Sequence, residues 1–220
     1  MLFVAMVPKK VAGLLFFVLS GSTTSLVRRF GGSRVVIRNI GRSIFHLMTG
    51  TRKFYYRQLE KIAASTSKPR VLEIGSGKPT GKNQYDYSAC HLFTEAGEFV
   101  QTDINPDFGH RVLDIVTMSD EEDWDVILCL NVLEHVFELE AAVTNLHRAL
   151  RPGGRLCVAV PFTFPLHDEP RDYWRLTEHT LRRLFNDFES VDLRRKGPRL
   201  LPLGYFLVAT RADEVVKATR

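Results

Sequence analysis

Residues 71–77 read Val-Leu-Glu-Ile-Gly-Ser-Gly, a short apolar run that ends in Gly-x-Gly. A short apolar run of this kind belongs in a buried strand of a parallel sheet. Glycines directly after it let the backbone turn tightly and approach a ligand with no Cβ in the way. The pattern then keeps alternating. The sequence predicts strands at Arg70–Ile74, Glu98–Thr102, Val112–Ile115, Asp125–Leu130, Arg155–Val160, Ser190–Leu193 and Tyr205–Thr210. It predicts helices within Tyr85–Ala96 and over Leu139–Leu150 and Glu178–Phe185, with Pro152-Gly153-Gly154 read as a helix stop and tight turn. Such alternation implies an α/β fold: a Rossmann-like, doubly wound, mostly parallel seven-stranded sheet. Ligands of these sheets bind beyond the carboxyl ends of the strands, at the topological switch point. The informative residues are therefore those just after each strand.

The glycine loop narrows the ligand. A dinucleotide fingerprint needs a third glycine at position 80, which is Thr80. A phosphate-binding P-loop needs Gly-x-x-x-x-Gly-Lys-Ser/Thr, whereas Gly81-Lys82 comes one residue late and Asn83 follows. A glycine loop with no phosphate machinery suits a nucleoside that carries no phosphate, such as S-adenosyl-L-methionine. Gly75, Ser76 and Gly77 are its expected cradle. Asp103, with Ile104 beside it, closes the second strand, where a carboxylate can accept both ribose hydroxyls; the other reading is a cap of the turn Asn105-Pro106. Asp114 can accept from an adenine amine or cap a turn. Asn131 follows the fourth strand at the ligand-facing edge, with Glu134 and His135 next, at the expected start of a helix.

The ordered segments LEIGSG, TDIN, LD, NVLEHV and LRPGGRLCVAVP resemble those of the small-molecule class I S-adenosylmethionine-dependent methyltransferases of the type 11 group, over roughly residues 70–210. The resemblance implies that Glu73, Gly75 and Gly77 line the methionine and ribose side, that Asp103 holds the ribose, that Asp114 lies near the adenine and that Asn131 lies by the sulfonium. Pro161–Thr177, reading PFTFPLHDEPRDYWRLT, resembles a segment of methyltransferases of polysaccharide or lipid-linked glycan synthesis. Departing from the usual pattern is the long loop after Gly77.

Methyl transfer asks little beyond in-line alignment and exclusion of water, because the sulfonium is already activated. An alcohol acceptor needs a base as well. His167, Asp168 and Asp172 follow the strand that ends at Val160, and His167 is the best candidate base. The other reading of His167 is a loop histidine with a structural hydrogen bond. Tyr173, Trp174 and Arg175 either clamp an acceptor or pack on the core. The Asn/Asp-Pro-Pro-aromatic motif of many amine methyltransferases is missing, since Val132 follows Asn131. The expected activity is O-methylation of a small-molecule or glycan/lipid-linked acceptor. Its alternatives are an RNA methyltransferase, a non-catalytic methyltransferase-like binding protein and an NAD-dependent oxidoreductase, the last disfavoured by the failed fingerprint.

Charge is split along the chain. Residues 1–70 carry +12 and the rest −7, for a net +5. A basic segment points to an anionic partner such as a membrane surface, or to a solvated face. No recognised RNA module accompanies it, so nucleic acid is not the expected partner. Lys9-Lys10 precede the apolar run Val11–Leu19, which is short of the ~20 residues of a span. Three readings stand: an interfacial anchor, a weak span, or helices packed on the domain as a lid. The expected organisation is a helical, basic extension over 1–67, the catalytic domain over 68–212 and a tail over 213–220. Cys90, Cys129 and Cys157 form no CxxC pair, so neither a disulfide framework nor a zinc site is expected, and no metal is assigned. Cytoplasmic location follows, since the cosubstrate is made there, with residues 1–42 as the candidate contact to the inner face of a membrane.

Overall fold

The computed structural model describes residues 50–79 and 88–213. The extension before residue 50, with its anchor and lid readings, and the tail after residue 213 lie outside them. Among the described residues no helix is long and apolar enough to cross a membrane.

Seven strands form one sheet: β1 (Arg70–Ile74), β2 (Glu98–Asp103), β3 (Arg111–Val112), β4 (Trp124–Leu130), β5 (Leu150–Pro161), β6 (Ser190–Lys196) and β7 (Gly204–Thr210). Their order is β3-β2-β1-β4-β5-β7-β6. Only β7 runs antiparallel to its neighbours; the pairs from β3 to β5 are parallel. The chain reverses its direction of travel across the sheet between β1 and β4, so the crevice beyond their carboxyl ends is the switch point.

Helices cover both faces, as the apolar strands require. Helix α1 (50–64) packs Tyr55 and Leu59 on Val71, Val126, Leu128 and Phe206. The Tyr55 hydroxyl donates to the Val160 carbonyl at 3.2 Å and sits where a Gly204 side chain would otherwise stand. On the opposite face, α2 (Leu139–Ala149) buries Leu139, Ala142, Val143, Leu146 and Ala149, a helical stripe. Beside it α3 (Glu178–Leu184) starts at Thr177, whose hydroxyl accepts from the Thr180 N–H.

The predicted strand order of elements is found, with four local differences. β3 is two residues, not Val112–Ile115, because the Asp114 side chain takes the Val116 N–H at 2.8 Å and turns the chain. Cys90–Leu92 is a single 3-10 turn, not part of an α-helix: the Ser88 and Ala89 donors are tied to Glu73, and the Ser88 hydroxyl accepts from Cys90 N–H. The earlier part of that predicted helix falls outside the described residues. Pro152-Gly153-Gly154 lies within β5 as a bulge, because Leu150 already pairs with Trp124 before Arg155 pairs with Val126. A Cβ on Gly154 would stand 2.8 Å from the Arg151 carbonyl and 3.0 Å from that of Trp124. Finally, Glu134 and His135 sit on a 3-10 turn, Leu133–His135, rather than at the start of a helix.

Candidate active site

The crevice has two halves. On the first, β1 delivers the glycine loop. Gly75 and Gly77 both take left-handed φ, +67° and +72°, which a side chain would strain. Gly75 is also pressed against Val132, whose Cγ2 would lie 2.6 Å from an added Cβ. The loop is held from below by Glu73, which is 2% exposed. Its carboxylate accepts from the Ser76 hydroxyl at 2.8 Å, the Ser88 hydroxyl at 2.5 Å and the Ala89 N–H at 2.6 Å. Glu73 and Ser76 therefore brace the loop from within the protein, with their polar atoms turned to each other.

Asp103 ends β2 and fixes the other side. One carboxylate oxygen accepts from the Gly77 N–H at 2.9 Å, the other from the Asn105 N–H at 2.9 Å. Asp103 thus joins the β1 and β2 loops, and it also performs the turn-capping role weighed for it. Ile104 follows, a large apolar side chain left 54% exposed at the carboxyl end of β2. The Gly77 carbonyl takes a hydrogen bond from His110, ring Nε2 at 2.9 Å. His110 carried no sequence signal, since only folding brings the residues after β2 under the β1 loop. Asp114 caps its own turn through Val116, one of its two readings.

The second half lies beyond β4 and β5. Asn131 takes φ +54° immediately after β4, with its N–H on the Ala159 carbonyl at 2.8 Å. The chain then turns down, and Glu134 points into the interior at 0% exposure. Neither of its carboxylate oxygens has a hydrogen-bond partner. Burial, with the carboxylates of Asp172 and Asp168 adding to it, pushes this carboxyl up to about 8, against the pull of Arg175. His135 and His167 face it edge to face, their ring centroids 4.8 Å apart. Nε2 of each is 4.0 Å from Glu134 Oε1.

Both rings are oriented by their other nitrogen. His135 Nδ1 lies 2.9 Å from the Arg171 carbonyl, which can only accept, so Nδ1 carries the proton. His167 Nδ1 lies 3.1 Å from Asp172, whose carboxylate also takes the His167 N–H at 3.0 Å. Arg175 closes this set with two contacts to Asp172, at 2.6 and 2.7 Å. The Arg175 guanidinium, helped by the His167 N–H, holds the Asp172 carboxyl well below the usual carboxylate range. Asp168, φ +52°, stands over His135 with Oδ2 4.0 Å from Nε2. The Glu134 carbonyl accepts from the N–H groups of Tyr173 and Trp174. Trp174 packs against the core and donates to the Val136 carbonyl, and Tyr173 is half exposed against Phe137.

So His167, Asp168 and Asp172 come together with His135 and Glu134 in one cluster. The sequence assigns Glu134 no role; its signal is an acid next to a histidine just after a buried strand.

A family model described as a methyltransferase domain matches residues 72–156, the span from β1 through most of β5. Among curated proteins nothing matches. Among solved structures, the CurJ carbon methyltransferase is similar at 21% identity and a TM-score of 0.52, over 68% of this chain and 50% of that one. The chain thus spans half the length of that protein. The 1,6-didemethyltoxoflavin-N1-methyltransferase of Burkholderia thailandensis, solved with its substrate and S-adenosylhomocysteine, is 21% identical with a TM-score of 0.53, over 83% of this chain and 92% of that one. The [4+2]-cyclase SpnF is 14% identical with a TM-score of 0.54, over 71% and 80%. At such identities the likeness carries the fold, and this fold hosts more than one reaction.

Proposed function

We propose, from the premise that this chain carries a class I S-adenosylmethionine-dependent methyltransferase domain, that it methylates an oxygen of a small-molecule or glycan/lipid-linked acceptor. S-adenosylmethionine is the methyl donor. Glu73, Gly75, Ser76, Gly77, Asp103, Ile104, Asp114 and Asn131 are the proposed cofactor side: the glycines give close approach, Asp103 meets the ribose, Ile104 the adenine and Asn131 the sulfonium.

One observation supports oxygen over nitrogen as the acceptor atom. An imidazole held by a buried, Arg-clamped carboxylate stands beyond β5 with Nε2 as its lone-pair nitrogen. A hydroxyl needs such a partner, whereas many amines lose their proton unaided. In the proposed step His167 Nε2 takes the hydroxyl proton as the oxygen forms its bond to the methyl carbon. The carbon–sulfur bond breaks, its electron pair stays on sulfur, and S-adenosylhomocysteine leaves. Asp172 holds His167 in the required tautomer. Asp168 lies over the same opening. Absence of the Pro-Pro-aromatic sequence after Asn131 agrees with this assignment.

Full-length protein incubated with methyl-labelled S-adenosylmethionine and panels of phenols, saccharides, lipid-linked saccharides and amines tests the proposal. Label is expected in a methyl ether. Label found only in amines or on carbon rejects O-methylation. The basic residues 1–42 would bring such an enzyme to an acceptor at the inner face of a membrane, each cation contributing about 1 kcal/mol. Full-length protein is then expected to pellet with membranes and to wash off partly in high salt. Protein that stays in the supernatant at low salt removes this part of the proposal.

A further inference from the structure

We propose that Glu134, His135 and His167 bind one divalent first-row transition-metal ion, zinc foremost, at the acceptor end of the sheet. One carboxylate oxygen of Glu134 and one ring nitrogen of each histidine lie within 4.8 Å of one another. Glu134 Oε1 is 4.0 Å from both Nε2 atoms. Ligands each about 2.1 Å from a shared zinc stand about 3.4 Å apart at the tetrahedral angle. Closing on the ion therefore moves each histidine toward Glu134 by roughly half an ångström, and the two histidines, whose ligand atoms lie within 4.8 Å, toward each other by up to about 1.4 Å.

Three further features fit a cation there. The Glu134 carboxylate is fully buried and neither oxygen meets a donor, and a buried carboxylate left so is costly unless a cation completes it. Both histidines are set up as ligands rather than as donors into the cluster. Each spends Nδ1–H on an outer acceptor, the Arg171 carbonyl or Asp172, and turns the Nε2 lone pair inward. That is how outer partners fix metal-binding imidazoles. Asp168, exposed, has Oδ2 4.0 Å from His135 Nε2 and is placed as a fourth donor or as the partner of a coordinated water. Two imidazoles with one carboxylate suit zinc, cobalt, iron or manganese, not calcium or magnesium.

What the ion does there rests on the O-methylation reading above. A hydroxyl bound to it gives up its proton to water more readily. The oxygen would then form its bond to the methyl carbon as the carbon–sulfur bond breaks and its electron pair leaves on S-adenosylhomocysteine; in the metal-loaded protein His167 would be a ligand and water would take the proton that His167 takes in the metal-free step.

The test needs no acceptor. Full-length protein stripped with chelator is titrated with Zn²⁺ by calorimetry and with Co²⁺ by visible absorption. One ion per chain is expected, with a cobalt spectrum of nitrogen–oxygen ligation. Glu134→Gln and His135→Gln should each weaken zinc binding by about a hundredfold, and Asp172→Asn by about ten- to a hundredfold. S-adenosylhomocysteine affinity, measured in parallel, should stay within about twofold and so report that each variant is folded. Wild-type protein that binds S-adenosylhomocysteine but takes up neither zinc nor cobalt overturns the site. So does uptake that Glu134→Gln and His135→Gln leave unchanged. Stoichiometric uptake by an enzyme that methylates only nitrogen or carbon would keep the metal and reject the O-methylation.

Discussion

Glu73 and Glu134 are both buried acids at the carboxyl-end edge of the central parallel strands, and the protein treats them in opposite ways. Glu73 has three donors on its carboxylate, two hydroxyls and one backbone N–H. Glu134 has none. Asp103 follows the first pattern, each oxygen taking a backbone N–H. The half of the crevice proposed for the cofactor is thus a finished hydrogen-bond network whose acids act as braces. Across the crevice, the half proposed for the acceptor keeps an acid whose bonding is incomplete within the chain. A carboxylate removed from water with no donor opposes folding, so its counterpart is expected to come from outside the chain, as a ligand.

The largest effect should come from Glu73→Ala. It leaves two buried hydroxyls and one buried N–H without an acceptor, and each orphaned donor costs about 1–3 kcal/mol. Chemical denaturation should show a loss of about 3 kcal/mol or more, with S-adenosylhomocysteine binding falling as the loop loosens. A loss below about 1 kcal/mol would break the comparison, because the Glu73 network would then hold nothing.

His167→Ala comes next and acts on the other half. Turnover should fall roughly a hundredfold or more, whether His167 takes a proton or holds an ion. Cofactor affinity should not move, since His167 touches Asp172, Pro165, Phe164 and the Glu134–His135 turn. Equilibrium binding of S-adenosylhomocysteine beside single-turnover rates separates the two. An equal loss in both would mean that the two halves are one network.

The two halves also differed in how well the sequence revealed them. The glycine loop, Asp103 and the strand order are set by neighbours in the chain: an apolar run, then glycines, then an acid at the next strand end. Those are local patterns, and they give the alternation of elements and the seven strands. The acceptor cluster draws on 134–135 and 167–175, and its geometry depends on how the β5 connection folds back over the β4 turn. His167 and Asp172 were named from their place after β5, but their pairing with Arg175 and the inward turn of Glu134 arise only in three dimensions. Cysteine spacing is the metal signal legible in a sequence, and a histidine–carboxylate set built from two loops does not display it. The β5 bulge at Pro152-Gly153-Gly154 was misplaced because Pro and Gly read as a helix stop, while pairing with Trp124 had already begun at Leu150.

Ile104→Ala should give a smaller change on the cofactor side. The side chain is 54% exposed, so the folded protein loses little by its removal. If the adenine covers it, truncation removes apolar contact worth about 1 kcal/mol, or roughly fivefold in S-adenosylhomocysteine affinity. Thermal stability without ligand should be unchanged. Affinity equal to wild type would place the adenine elsewhere along the β2 edge.

The smallest effect, and the sharpest contrast with Glu73, is expected of Glu134→Gln in chelator-treated protein. The change keeps the volume at a buried carboxyl that no donor meets, so folding stability should stay within about 1 kcal/mol of wild type, whereas removing a braced acid costs several kcal/mol. The two variants are compared by the same denaturation experiment, and the sign of the difference is the result. Zinc then supplies a second reading from the same samples. An ion that binds only the native state stabilises it by about 2.7 kcal/mol at a hundred times its dissociation constant. Wild-type protein should gain that increment on adding zinc, and Glu134→Gln should gain little at the same concentration. If Glu134→Gln without metal loses as much as Glu73→Ala, then Glu134 is a structural acid like Glu73, and its bare carboxylate is not a site awaiting a partner.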